Sequence, residues 1–542
     1  MGRRISKLGE AYFYDKQNFQ HCENSIKDSF FKLSFRLKIC TILLIFVSGS
    51  SVYGQFLNVL DFGAIGDGVT DNTKNIQKAI DECSKTGEKV YFPAGEFLTG
   101  TIILKSNVTI FLSRNTKILG HTDIEKYPLL DPGIRFYGEK KAKRSLFFAK
   151  NSENISIEGE GTIDGQGATF TKPENNKIRP YLLWFANCKQ ISVKNVSLRN
   201  SGYWMQHYLG CEYVLIDHIN VWNHSNKNND MIDIDGCKYV TISNVVGDAD
   251  DDGITIKSTS PLSSEYITIT NCIISSHCNA IKCGTESTGG FKNIVISNCV
   301  VRPSLKKDVI YGKPAGISGI SLELVDGGIM ENISINNITM EGPEVPVFLR
   351  LGNRARKHQE DAPEPPLGRM NNINIANIIA TNAGITGCAI TGIPKSQIEN
   401  VSLSNILIEA KGGGNAGDMM KPVEEAESKY PEATMFGQLP AYGFYIRHAR
   451  GIKLNNVTLK YKEHEKRPGI ILSNTAKFNF SDLDIQTAPE SNAAIYVEKS
   501  KNGLITNTNH FYPSKHFLWK DERSENIKLL NSFFSEITKP IK

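Results

Sequence analysis

Residues 240–244 read VTISN, residues 267–271 read ITITN and residues 294–298 read IVISN. The three pentapeptides start 27 residues apart, and each alternates apolar and polar positions before ending in asparagine. Alternation with a period of two marks a strand with one buried face. Working outward, ISVKN at 191–195, VLIDH at 214–218, ISINN at 333–337, INIAN at 373–377, VSLSN at 401–405 and IKLNN at 452–456 extend the series, and only His218 replaces the terminal asparagine. A strand that recurs every two dozen residues and leaves through the same residue type predicts the stacked coils of an all-β solenoid rather than a sandwich. Asparagine suits that exit. Its short side chain tolerates left-handed backbone, and its amide can bond to the asparagine one coil above and below.

An open solenoid end leaves strand groups unpaired and needs a cover. The stretch TDNTKNIQKAIDECS at 70–84 provides one: a polar start signal, then Ile76, Ala79, Ile80 and Cys83 at helical spacing. The segments 342–369 and 411–441 are rich in proline, glycine and charge and read as surface loops. The expected organisation is a leader over 1–54, a β-helix catalytic domain over 55–505 and a C-terminal tail over 506–542 that packs on or caps the solenoid.

Within the leader, basic residues precede an apolar run from Ile39 to Val47 and a small, polar stretch ending at Gly54. That is the layout of a signal segment cut after Gly54, so the mature chain is expected to be secreted or periplasmic with no membrane span; a membrane-anchored leader is the alternative. Residues 1–54 hold 8 of the 62 Lys and Arg and 4 of the 57 Asp and Glu, so the rest carries 54 against 53, a net charge of +1. Such a balance gives no reason to expect a nucleic-acid partner. Of the 11 cysteines, Cys22 and Cys40 precede the proposed cut. The others form no Cys-x-x-Cys pair, which argues against a zinc site, and no metal site is expected.

Residues 248–258, DADDDGITIKS, crowd four aspartates into five positions. Aligning DMIDID at 230–235, DGITIK at 252–257 and HCNAIK at 277–282 through their strand ends gives Ile234, Ile256 and Ile281 one shared position. Asp230, Asp252 and His277 then form a column on coils about 4.8 Å apart, with Asp251 beside it. Asp251 and Asp252 reach one cleft only if the chain bends, a task for Gly253. Mutual repulsion would drive the carboxyl pKa values apart, as an acid/base pair requires. A solvated acidic turn and a calcium cluster are the competing readings, the latter without the ligand spacing of an EF-hand.

These residues resemble glycoside hydrolase family 28, the polygalacturonases and rhamnogalacturonan hydrolases of the pectin lyase-like superfamily. Asn228-Asn229-Asp230 is similar to the family's Asn-Thr-Asp, Asp251-Asp252 to its Asp-Asp and Ser276-His277-Cys278 to its Gly-His-Gly, while DFGAIGDGVTDNT at 61–73 and GEGTIDGQG at 159–167 are superfamily-like. The similarity spans about residues 57–500, by the spread of the repeats. It implies a single-stranded right-handed parallel β-helix that hydrolyses galacturonosyl linkages of pectic poly- or oligosaccharides with inversion and without a cofactor; separately, a monomer is expected. Asp251 would be the general acid, Asp230 and Asp252 would hold and activate water, and His277 would tune the acid. The family's Arg-Ile-Lys falls near Ser321 and Glu323, so its two cations are missing there. Asn228, Lys257, Lys282, Arg350 and Arg354 are therefore the candidate substrate-binding residues. The two long insertions point to exo cutting. A calcium-dependent pectic lyase and a non-catalytic carbohydrate-binding β-helix are the alternatives.

Overall fold

The computed structural model describes residues 56–140, 143–171, 178–535 and 538–542; the proposed leader lies outside them. Each coil contributes strands to successive parallel sheets. Gln206–Leu209, Glu212–Asp217 and Asn220–Asn223 pair in register with Ile232–Asp235, Lys238–Ser243 and Val246–Ala249 of the next coil. All named strands that form the wall pair parallel, as a right-handed β-helix requires. The repeated pentapeptides stack residue on residue, with Val240 on Ile267, Ile267 on Ile294, Ile294 on Ile333 and Ile333 on Ile373. All five are buried in an apolar core that runs from Val59 to Leu518. Each such side chain contributes about 1.5–3 kcal/mol by leaving water.

The exit position behaves as the asparagine argument requires. Asn195, His218, Asn244, Asn271, Asn298, Asn337, Asn377, Asn405 and Asn456 all have φ between 51° and 59°. Side-chain amides bridge coils from Asn337 to Asn298 at 3.1 Å, from Asn405 to Asn377 at 2.8 Å and from Asn456 to Asn405 at 2.9 Å. A second left-handed column stands one residue before each of these pentapeptides, inside the strands, and includes Tyr213, Tyr239 and Tyr266. Their rings stack at centroid distances of 4.9 and 5.4 Å.

The cap helix α1 spans Thr73–Thr86 and buries Ile76, Ala79, Ile80 and Cys83, the four positions its spacing marks. Gly87 ends it in left-handed backbone, donating its N–H to the Cys83 carbonyl. At the other end, where a tail is expected, the described residues of 506–542 add further strands to the stack. His516–Lys520 pairs with Ile495–Glu498, Glu525–Leu530 with Lys501–Thr506, and Lys539–Ile541 with His516–Lys520. The loop expected over 342–369 also needs correction, because Val345–Leu351 is a fully buried strand paired with Ser318–Leu324. Nine cysteines of the described residues are buried free thiols. No helix of the described residues is long and apolar enough to cross a membrane.

Candidate active site

Five strands of one sheet run through this region, β1, Ile232–Asp235; β2, Ile254–Ser258; β3, Asn279–Ser287; β4, Ser318–Leu324; and β5, Val345–Leu351, and of these β2 and β3 line the cavity. The turns that enter β1 and β2 supply the acids. Asn228, at φ 57°, turns the chain into Asp230, and the buried Asn229 amide fastens that turn to the carbonyls of Ser201 and Tyr203 at 3.1 and 2.8 Å. Residues 250–253 lie between two strands and belong to neither, so strict alternation does not apply and Asp251 and Asp252 line the same cavity. Gly253 is required by close approach. A Cβ there would stand 2.4 Å from the Ala280 carbonyl oxygen and 2.7 Å from Ile274 Cγ2.

Asp230, Asp251 and Asp252 thus come together in a cavity of about 200 Å³, with Asn228, Lys257 and Lys282. Asp252 is anchored on both oxygens. Oδ1 accepts from the Asn279 amide at 2.7 Å, and Oδ2 lies 3.1 Å from Lys282 Nζ. Lys257 Nζ sits 3.5 Å from Asp230, 3.4 Å from Asp233 and 3.9 Å from Glu286, and 4.6 Å above the Trp204 ring. Asp230 Oδ1 is buried with no hydrogen-bond partner among the described residues. Asp251 is half-buried at the mouth, where Asn228 donates to it at 3.4 Å.

Charge is distributed unevenly. Burial first, then Asp233 and Asp251, raise Asp230 well above the usual carboxylate range against the pull of Lys257. Burial pushes Asp233 up to about 8, with Lys257 opposing and Asp252 adding. Burial and the adjacent Asp252 carboxyl push Asp251 up to about 6. Burial disfavours the Lys257 ammonium, yet Asp233, Asp230, Glu286 and Asp252 together keep it charged well beyond the ordinary lysine range. Burial would likewise raise Glu286, but Lys257, Arg356 and Arg354 hold it far below its ordinary value.

Three expected site residues lie elsewhere. His277 stacks on Asp250 rather than continuing the column of Asp230 and Asp252. The register joins Ile254 to Ile281 and Ile256 to Cys283, two residues away from the alignment that equated Ile256 with Ile281, so Asn279 takes the place above Asp252. A slip of two preserves the in-out alternation, which is why the pattern could not detect it. His277 faces Asp250 and the Lys306 carbonyl, not Asp251. Arg350 belongs to buried β5, and its guanidinium is held by the carbonyls of Glu425 and Ala426 at 2.8 and 3.0 Å. Arg354 donates through Nε to Asp326 at 2.9 Å and does not line the cavity.

Other residues complete the walls. Arg356 enters beside Glu286 at 2.6 Å and lies over the Tyr137 ring at 3.2 Å; Tyr430 enters from the 411–441 insertion and Tyr203 and Trp204 from the coil before Asp230. The alternation of IDID in β1 held a signal for Asp233, since two acids alternating with two core isoleucines must either face solvent or be buried together. The insertions carry no periodicity, so nothing in them singles out Arg356 or Tyr430.

A family model described as rhamnogalacturonase A/epimerase, pectate lyase-like, matches residues 56–301. A probable polygalacturonase of Vitis vinifera is 28% identical over 425 residues, covering 73% of this chain and 85% of that one. An exo-poly-alpha-D-galacturonosidase of Dickeya chrysanthemi is 41% identical over 121 residues, 21% of this chain and 20% of its own. The crystal structure of a hyperthermoactive exopolygalacturonase from Thermotoga maritima superposes with a TM-score of 0.59 at 23% identity, covering 75% of this chain and 92% of that one. With its stacked coils, its aspartates on successive turns and its polygalacturonase homologues, the chain is similar to the glycosidases of glycoside hydrolase family 28 in the pectin lyase-like superfamily.

Proposed function

We propose that the chain degrades pectin by hydrolysing galacturonosyl linkages with inversion, working from chain ends. The observation that carries this reading is the single cavity holding Asp230, Asp251 and Asp252 beside Lys257, Lys282 and Arg356. Asp251, the acid nearest the mouth, protonates the leaving glycosidic oxygen. Asp230 and Asp252 stand on paired neighbouring coils and hold the attacking water, for which the unpartnered Asp230 Oδ1 is an available acceptor. Water oxygen bonds to the anomeric carbon as the glycosidic bond breaks on its far face, and the proton that water loses passes to the Asp230/Asp252 pair. Lys282 and Arg356 supply positive charge for a uronate carboxylate in place of the missing Arg-Ile-Lys pair. Tyr137, Arg356 and Tyr430 wall the cavity, which favours exo over endo cutting. The polygalacturonase names of the Vitis and Dickeya relatives support the same substrate class, and export through the leader would bring the enzyme to it.

The test is turnover of polygalacturonan and rhamnogalacturonan oligosaccharides, followed by reducing ends, ultraviolet absorbance and the anomeric proton signals of the first product. Monosaccharide release with inverted configuration is expected, and Asp251→Asn should lower kcat by about 10²–10⁴ while the protein stays folded. Unsaturated, absorbing products would replace this reading by a lyase. Binding without turnover would replace it by a carbohydrate-binding solenoid.

A further inference from the structure

Behind the cavity, on the far side of the Asp250–Gly253 turn, His224, Asp248, Asp250 and His277 form a second polar cluster, all at least nine-tenths buried. Each imidazole turns its Nε2 outward onto an oxygen. His224 Nε2 lies 2.9 Å from Asp248 Oδ1, and His277 Nε2 lies 3.1 Å from the Lys306 carbonyl oxygen. Carboxylate and carbonyl oxygens only accept, so both Nε2 atoms carry the hydrogen. Asp248 is itself secured by the Ser304 hydroxyl at 2.7 Å and the Leu305 N–H at 2.8 Å.

The two Nδ1 atoms then turn inward onto one carboxylate. His277 Nδ1 is 2.8 Å and His224 Nδ1 3.8 Å from Asp250 Oδ1, which also accepts the Ile310 N–H at 3.1 Å. His224 Nδ1 and Asp250 Oδ2 are buried without a hydrogen-bond partner among the described residues. With both Nε2 atoms protonated, the inward Nδ1 atoms face one buried carboxylate, and the pocket is balanced either by a proton on each Nδ1 or by one cation shared among the three groups. Four ligands at about 2.0–2.1 Å from a tetrahedral ion lie about 3.3 Å apart. The 2.8 and 3.8 Å separations bracket that edge, and one donor atom from each of His224, Asp250 and His277 lies within 4.8 Å of the others.

We propose that His224 Nδ1, His277 Nδ1 and Asp250 bind a divalent transition-metal ion, zinc by the chemistry of the donors, at a structural site separate from the sugar cavity. Two imidazoles and one carboxylate suit zinc rather than calcium or magnesium, which prefer all-oxygen sets. Metal-bound histidines commonly anchor their other nitrogen on a carboxylate or carbonyl, as Asp248 and the Lys306 carbonyl do here. The ion ties together three successive coils: the loop from His224 to Asp230, the turn carrying Asp251 and Asp252, and the turn at His277. It is thus a positioning element for all three acids of the cavity and touches no substrate. The absence of Cys-x-x-Cys pairs does not bear on a site built from histidine and aspartate.

The test is metal content, independent of pectin turnover. The full chain, stripped with a chelator, incubated with Zn²⁺ and desalted, should retain about one ion per chain. Co²⁺ added to the stripped protein should give the intense visible bands of tetrahedral coordination. His224→Asn should abolish both signals. Asp248→Asn keeps all three ligands and should weaken Co²⁺ affinity about 10–100-fold, which decides the matter should His224→Asn fail to fold. A wild-type protein that retains no zinc and gives no tetrahedral cobalt spectrum overturns the proposal and leaves protons on both imidazoles as the balancing charge. Unchanged affinity in Asp248→Asn overturns it equally.

Discussion

Replacing Asp233 with asparagine should stabilise the protein, and increasingly so as pH rises. Asp233 is fully buried on β1, and burial pushes its carboxyl up to about 8. In the unfolded chain the same group ionises near pH 3.9. Below about pH 4 it is protonated in both states and costs nothing. Above that, unfolding releases a proton that the folded chain must keep, so the wild type loses about 1.4 kcal/mol per pH unit until its folded pKa is reached. From about 4 to about 7 the accumulated penalty is about 4 kcal/mol, and it levels off near 8. Asparagine has the same shape without the titration. Its carbonyl can accept from Lys257, 3.4 Å from Asp233 Oδ1, and its amide can donate to Asp230. Urea unfolding of both proteins, followed by fluorescence at about pH 4, 6 and 8, measures the difference as it develops over the linkage range. Asp233→Asn should match the wild type in acid and exceed it by several kcal/mol at the alkaline end. A difference that does not change with pH, or a deficit that grows with it, would refute the buried neutral carboxyl.

Two further substitutions probe the frame around the acids. Gly253→Ala places a methyl 2.4 Å from the Ala280 carbonyl oxygen and should cost about 1–3 kcal/mol, read as a lower melting temperature, with a larger fractional loss of activity because Asp251 and Asp252 move with the turn. Arg350→Met removes the guanidinium from the Glu425 and Ala426 carbonyls, the latter keeping only the Lys429 N–H, and should cost about 1–3 kcal/mol, so limited proteolysis should cut the 411–441 insertion faster while the coils stay intact.

What was legible in the sequence is what repetition enforces. The exit asparagines announce themselves because one backbone conformation recurs in every coil, and α1 because four apolar residues mark one face. Asp230 and Asp252 share a column because their coils are of nearly equal length and no loop separates the alignment from the truth. His277 sits two residues away from the place its sequence alignment predicts, and a slip of two keeps every buried side chain buried and so leaves no trace in hydrophobicity. Arg350 reads as a loop cation in the sequence because proline and charge surround a strand that is buried on both faces. Arg356 and Tyr430 are invisible for a different reason: they reach the cavity from irregular chain, whose path depends on tertiary contacts rather than on any period.

The way the 411–441 segment is fastened has a consequence for how such an enzyme can change. Arg350 grips the backbone oxygens of Glu425 and Ala426, and Arg447 those of Val423 and Glu424 at 2.7 and 2.8 Å. Main-chain oxygens are offered by every residue type, so these clasps survive rewriting of the side chains they hold. Selectivity for new sugars can therefore drift in the detachable panel that carries Tyr430, while the spacing of the acids, set by the pitch of the coils, stays as it was.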